Sequence, residues 1–164
     1  MIKAKATHLQ MRVSVSQKKQ LFHLARQADM TMSEWILQKI FPPKKEEWDA
    51  LITKLSLARD KSFVLAELND FMTALGASEL KEVFDHLPHN KLNDYWLNYL
   101  TAMVEHTSKL KGIAPPAWVF SVPPLDKPVF ASELPSLRLY LLVNSPPAFR
   151  SRNIFVDSTI GARV

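Results

Sequence analysis

The chain contains no cysteine, which excludes a disulfide scaffold, a thiolate metal site and thiol catalysis. Glycine is nearly as scarce, at three among 164 residues, so the glycine-rich loops that cradle phosphates are excluded too. Neither a nucleophile elbow nor an HExxH helix occurs. No apolar run approaches the roughly 20 residues that span a bilayer; the longest lies near Leu139–Val143. The opening Met1-Ile2-Lys3-Ala4-Lys5 lacks the apolar stretch of an export signal, so a cytoplasmic protein with no membrane partner is expected. Neither an enzyme nor a bound cofactor or metal is expected.

Acid is missing where base collects. Residues 1–45 hold nine Lys/Arg against two Asp/Glu, residues 46–112 seven against eleven, and residues 113–164 five against three. The formal excess of +5 therefore originates in the first quarter. A concentrated basic block points to a polyanion partner. With 47% hydrophobic and 10% aromatic residues, the chain can build a core.

Proline divides the chain into three parts. The first, 1–43, closes at Phe41-Pro42-Pro43, where two prolines stop a helix. The second, 44–112, has helical spacing almost throughout. Trp48, Leu51, Ile52 and Leu55 form one face; Val64, Leu68, Phe71, Met72 and Leu75 form another. Leu80, Val83, Phe84 and Leu87 form a third, with Ser78 as its N-cap. Trp96, Tyr99, Leu100, Met103 and Leu110 form a fourth, closed by Lys109, Lys111 and Gly112. These predict a small helical bundle. The third part, 113–164, holds eight of the eleven prolines. Ala114–Phe120 and Val122–Leu125 are predicted to be extended or polyproline-like. The expected architecture is mainly α: a unit of one short strand and two helices, the bundle, and a proline-rich arm.

Residues 8–15 alternate strictly, with Leu9, Met11, Val13 and Val15 apolar and His8, Gln10, Arg12 and Ser14 polar, as in a one-sided strand. Ser16 offers an N-cap to a helix striped by Leu21, Leu24, Ala25 and Ala28. Thr31-Met32-Ser33-Glu34 is a capping box opening a second helix whose face is Met32, Trp35, Ile36 and Ile40. A lone strand on two short helices has nothing to pair with, and a unit this small is marginal alone. Pairing with the same strand of a second chain gives a two-stranded antiparallel ribbon on four helices, an obligate homodimer.

This arrangement, over residues 7–41, resembles the ribbon-helix-helix family of bacterial repressors and antitoxins. The resemblance is carried by Gln10-x-Arg12-x-Ser14, the Ser16 cap and Met30-Thr31-Met32-Ser33-Glu34-Trp35-Ile36. It implies a ribbon in the major groove of double-stranded DNA, with Gln10, Arg12, Ser14 and His8 reaching base edges. Arg12 suits guanine O6 and N7, and Gln10 suits adenine N6 and N7. The family sets the start of the second helix against a phosphate, which implies Thr31, Met32 and Ser33 here, since a helix N-terminus favours anions. Lys3, Lys5, Lys18 and Lys19 would add salt-sensitive phosphate contacts. Family members commonly have glycine between the two helices. This chain has Asp29-Met30, and aspartate tolerates the left-handed backbone better than most residues.

The resemblance implies a transcriptional repressor on a palindromic operator, and with the appended 44–164 an antitoxin that neutralises a partner protein, a toxin, and represses its own operon. A regulator whose bundle senses a ligand or drives assembly remains open, as does a protein-binding module whose ribbon only dimerises. In the arm, Trp118, Phe120, Phe149, Arg150, Arg152 and Phe155 combine the residue types of interface hot spots. The other reading has the aromatics anchoring the arm on its own bundle while the arginines are solvated. His86 and His89 flank Leu87-Pro88, which places no third ligand and breaks helical geometry. They read as surface histidines. Glu82, Asp85 and Glu105 read as solvated helix faces.

Overall fold

The computed structural model describes residues 10–40, 43–86 and 92–157. The chain divides into two compact units, Met1–Pro43 and Lys44–Val164. It is mainly helical, with one two-stranded sheet among the described residues.

In the first unit, α1 spans Val15–Gln27 and α2 spans Met32–Ile40. The cap of α1 is Ser14, two residues ahead of the expected Ser16. The Ser14 hydroxyl accepts from the Gln17 amide (3.2 Å), and the Gln17 side chain accepts from the Ser14 amide (2.9 Å). Ser-x-x-Gln closes this reciprocal box, whereas Ser16 is followed three residues later by Lys19. Val15 therefore begins the helix and does not end a strand. At the other end Asp29 takes φ 54°. The Met30 amide reaches the Ala25 carbonyl (3.0 Å) and the Asp29 amide the Arg26 carbonyl (3.2 Å), a Schellman closure with aspartate where glycine is usual. The Thr31–Glu34 box forms as expected: Glu34 Oε2 accepts from the Thr31 amide (3.0 Å), and Thr31 Oγ1 accepts from the Glu34 amide (3.2 Å).

The second unit is built around α6 (Asp94–Leu110). A helix buried on nearly every side is a core helix, and α6 buries an unbroken run from Asn98 to Glu105. Around it lie α3 (Pro43–Leu57), α4 (Ser62–Ala74) and α5 (Ala77–Val83). Trp48 stacks on Phe71 with centroids 6.1 Å apart and meets Phe84 at 5.1 Å. The core gathers Ile52, Leu55, Leu68, Met72, Leu80 and Leu100 from the expected faces. Leu87 lies outside the described residues. Two details differ from expectation. The cap of α5 is Gly76, whose amide donates to Glu79 (2.8 Å), and Ser78 lies inside the helix. Leu110 is exposed, because it sits in the last turn of α6, ahead of the closure at Gly112 (φ 66°).

The proline-rich segment is not an extended arm. Ala117–Ser121 is a 3-10 helix; α7 spans Pro135–Asn144 and α8 Pro147–Arg150. Pro135 and Pro147 occupy the first helical position, where the missing N–H has no acceptor to lose and the fixed φ suits a helix. β1 (Val129–Phe130) pairs in parallel with β2 (Ile154–Phe155), the crossover running through α7 and α8. The segment belongs to the same compact unit as the bundle, and Val119, Phe149, Ile154 and Val156 enter its core.

Candidate nucleic-acid interface

Gln10, Arg12 and Ser14 are all exposed, in the stretch leading into α1. Residues 10–13 lie in no helix or strand of the single chain. Their apolar neighbours are exposed as well, Met11 at 52% and Val13 at 43%. Ser14 is held by its own cap, with its hydroxyl also 2.9 Å from the Ser16 hydroxyl, so Gln10 and Arg12 are the two side chains not engaged in a cap. Lys18 and Lys19 stand exposed on the first turns of α1. His8, Lys3 and Lys5 lie outside the described residues.

At the start of α2, the capping box occupies the amides of Thr31 and Glu34. Met32 and Ser33 fall at the first two helical positions, whose amides have no intrahelical acceptor. They are the donors the helix start offers an anion, although the Glu34 carboxylate already sits over the same end.

Of this unit's described residues only Ala25 is buried. Leu21, Leu24, Met32, Trp35 and Ile36 are half-buried, while Val15, Phe22, Met30, Leu37 and Ile40 are exposed with Met11 and Val13. The expected stripes thus lie on α1 and α2, apart from Ala28 and Ile40, which are exposed. The described residues leave them partly or wholly uncovered.

The C-terminal aromatics and arginines divide differently from expectation. Phe149 is buried edge-on against Tyr99 (5.3 Å), Phe155 stacks on Phe130 (4.9 Å), and the Trp118 indole donates to the Phe84 carbonyl (2.7 Å). These side chains are spent on their own fold. Phe120 and Arg150 are exposed. Arg152 is neither solvated nor open to a partner: it is 5% exposed, and its guanidinium donates to the carbonyls of Val119 (2.7 Å) and Val122 (3.2 Å) and to Asn98 Oδ1 (3.3 Å). Glu105 is buried too, bonded to Lys109 (2.6 Å) and 3.8 Å from Arg152. Burial lowers the pKa of Arg152, opposed by the Glu105 charge. Glu105 was read as part of a solvated helix face, where a carboxylate on a helix ordinarily lies. The second partner lies 47 positions along the chain, and no local pattern announces it.

A cleft of about 500 Å³ lies between the start of α6 and residues 122–129, lined by Asp94, Tyr95, Asn98, Val122, Asp126 and Lys127 among others. Burial raises the pKa of Tyr95. Among the described residues, no group of three or more His, Asp or Glu is placed to hold a metal ion. His86 is exposed beside Asp85; His89 lies outside the described residues. No described helix is long and apolar enough to cross a membrane. Comparison of the chain with protein-family models, curated proteins and solved structures gives no match.

Proposed function

We propose that the chain is a homodimeric, sequence-specific DNA-binding repressor of the ribbon-helix-helix type, with residues 44–164 as an appended effector unit. The observation that carries this reading is the apolar surface of residues 10–40, where a single chain buries Ala25 and leaves Met11 and Val13 exposed. Residues 10–13 have no backbone partner within their own chain among the described residues, and a second copy supplies one by strand pairing. Pairing turns Met11 and Val13 to the helices and Gln10 and Arg12 to the other face. The ribbon then carries Arg12 to a guanine edge, with Lys18 and Lys19 on flanking phosphates. Two-fold symmetry of the protein demands a palindromic operator.

The appended unit is best read as the part that binds a partner protein, which would make the chain an antitoxin regulating its own operon. Its acidic 46–112 segment is ill suited to DNA, and stoichiometric co-purification of a protein partner tests it. For the DNA-binding part, a mobility shift with the DNA upstream of the chain's own gene is the test. Arg12→Ala is expected to remain dimeric and to lose about 1–3 kcal/mol of discrimination at one base position. Unchanged sequence preference in that variant would refute the role of Arg12, and absence of binding at low salt would refute the reading as a whole.

A further inference from the structure

The cleft between the start of α6 and residues 122–129 is held open by buried hydrogen bonds. Its volume of about 500 Å³ falls within the roughly 300–1,000 Å³ of small-molecule sites. Asn98 lines one wall and Val122 the other, and one buried nitrogen joins them. Arg152 Nη1 donates to Asn98 Oδ1 (3.3 Å) and to the Val122 carbonyl (3.2 Å). The second wall is fastened again at Leu125, whose amide donates to the Arg152 carbonyl (3.4 Å) and whose carbonyl accepts from the Asn153 side chain (2.5 Å). Asn153 holds the left-handed backbone (φ 58°) that glycine and asparagine adopt most readily. The two walls are thus fixed against each other from behind, and the space between them is preformed.

The lining selects a charge. Leu97, Val122, Pro124 and Val129 make much of it apolar, which suits an organic body. Asp94, Asp126 and Lys127 are exposed along it, so two carboxylates stand against one ammonium and leave an excess of one negative charge. That excess repels an anion and is left unanswered by a neutral molecule, whereas a monocation neutralises it. Tyr95, half-buried, adds an aromatic ring of the kind that attracts organic cations. Burial raises its pKa, so the phenol keeps its proton and adds no further charge.

We propose that this cleft binds a small organic monocation, an ammonium, amidinium or guanidinium on a compact apolar body, with Asp94 and Asp126 balancing the charge and Tyr95 holding the body. The site lies wholly in the second unit and does not rest on the reading of residues 10–40.

The test is a titration of the full chain with benzamidinium, followed through its assigned backbone amides. Those of Leu97, Asn98 and Val129 are expected to shift and to saturate. Benzamide, of nearly the same shape but neutral, should bind about fivefold more weakly, and benzoate should not bind. Asp94→Asn and Asp126→Asn should each weaken benzamidinium about two- to fivefold and leave benzamide unchanged. Glu133→Gln, at an exposed carboxylate outside the cleft, should change neither. Tyr95→Ala should weaken both, since it removes the surface that holds the body. The comparison of the three probes uses the unaltered chain, so it decides the matter even if a variant fails to fold. No saturable shift at these amides, benzamide binding as well as benzamidinium, or benzoate binding best would each overturn the proposal. So would protection of these amides by a co-purifying protein without any response to benzamidinium, which would make the cleft part of a protein interface.

Discussion

Arg152 is a buried cation of the second unit. It joins the turn between α8 and β2 to α6 and to the carbonyls of Val119 and Val122. Replacing it by methionine keeps the bulk and removes every donor, leaving two carbonyls, Asn98 Oδ1 and one side of Glu105 short of a partner. Breaking a buried ion pair from one side typically costs about 3–5 kcal/mol, so Arg152→Met should lower the denaturant midpoint accordingly; a loss under about 1 kcal/mol would mean that water reaches the site. His106 gives a second test. It packs edge-on against Phe149 (6.3 Å), and burial, aided by the charge of Lys109, lowers its pKa. As pH falls below about 6.5, the unfolded chain takes up this proton before the folded one does. Stability is therefore present above that value and lost through the window down to the lowered pKa. The drop in unfolding midpoint between about pH 7 and about pH 5 should shrink in His106→Gln.

At the scale of elements, most of the helices were legible, because 3.6-residue spacing records which side faces a core. The four bundle faces and the Thr31 box are examples. The left-handed residue between α1 and α2 was expected from the resemblance, whose members commonly have glycine there, and Asp29 takes that backbone. Asp29→Gly should thus be neutral or stabilising by up to about 1 kcal/mol, while Asp29→Val should cost more than that. Thermal unfolding distinguishes these outcomes. What was not legible has two physical causes. Prolines read as breakers also start helices, which hid α7 and α8. Burial of Phe149, Arg152 and Phe155 depends on a parallel pairing between residues some 25 positions apart, and spacing along the chain carries no trace of that. In the candidate interface, the choice of Ser14 over Ser16 as cap was readable from Gln17, since only Ser14 has a side chain three residues on that can return the hydrogen bond.

For the whole molecule, the contrast between the two units matters most. Residues 44–164 bury a continuous core, whereas residues 10–40 bury one alanine. Ordering a residue's backbone costs about 1–2 kcal/mol, and one buried methyl group does not offset that over two helices. Residues 10–40 by themselves do not bury enough to offset that cost, and a second copy is the cover proposed here. Stability that depends on association rises with chain concentration. Amide exchange should therefore slow at Leu24 and Ala25 in α1 as the chain is concentrated, whereas Leu100 and Val104, fully buried in α6, should exchange slowly already in the dilute chain. A chain with Met11→Glu and Val13→Glu, which block pairing through residues 10–14, should lose the concentration dependence at Leu24 and Ala25 and keep the slow exchange at Leu100. Equal protection of α1 at every concentration would assign the cover to the chain itself, and would remove the proposed ribbon on which the proposed roles of Gln10 and Arg12 rest.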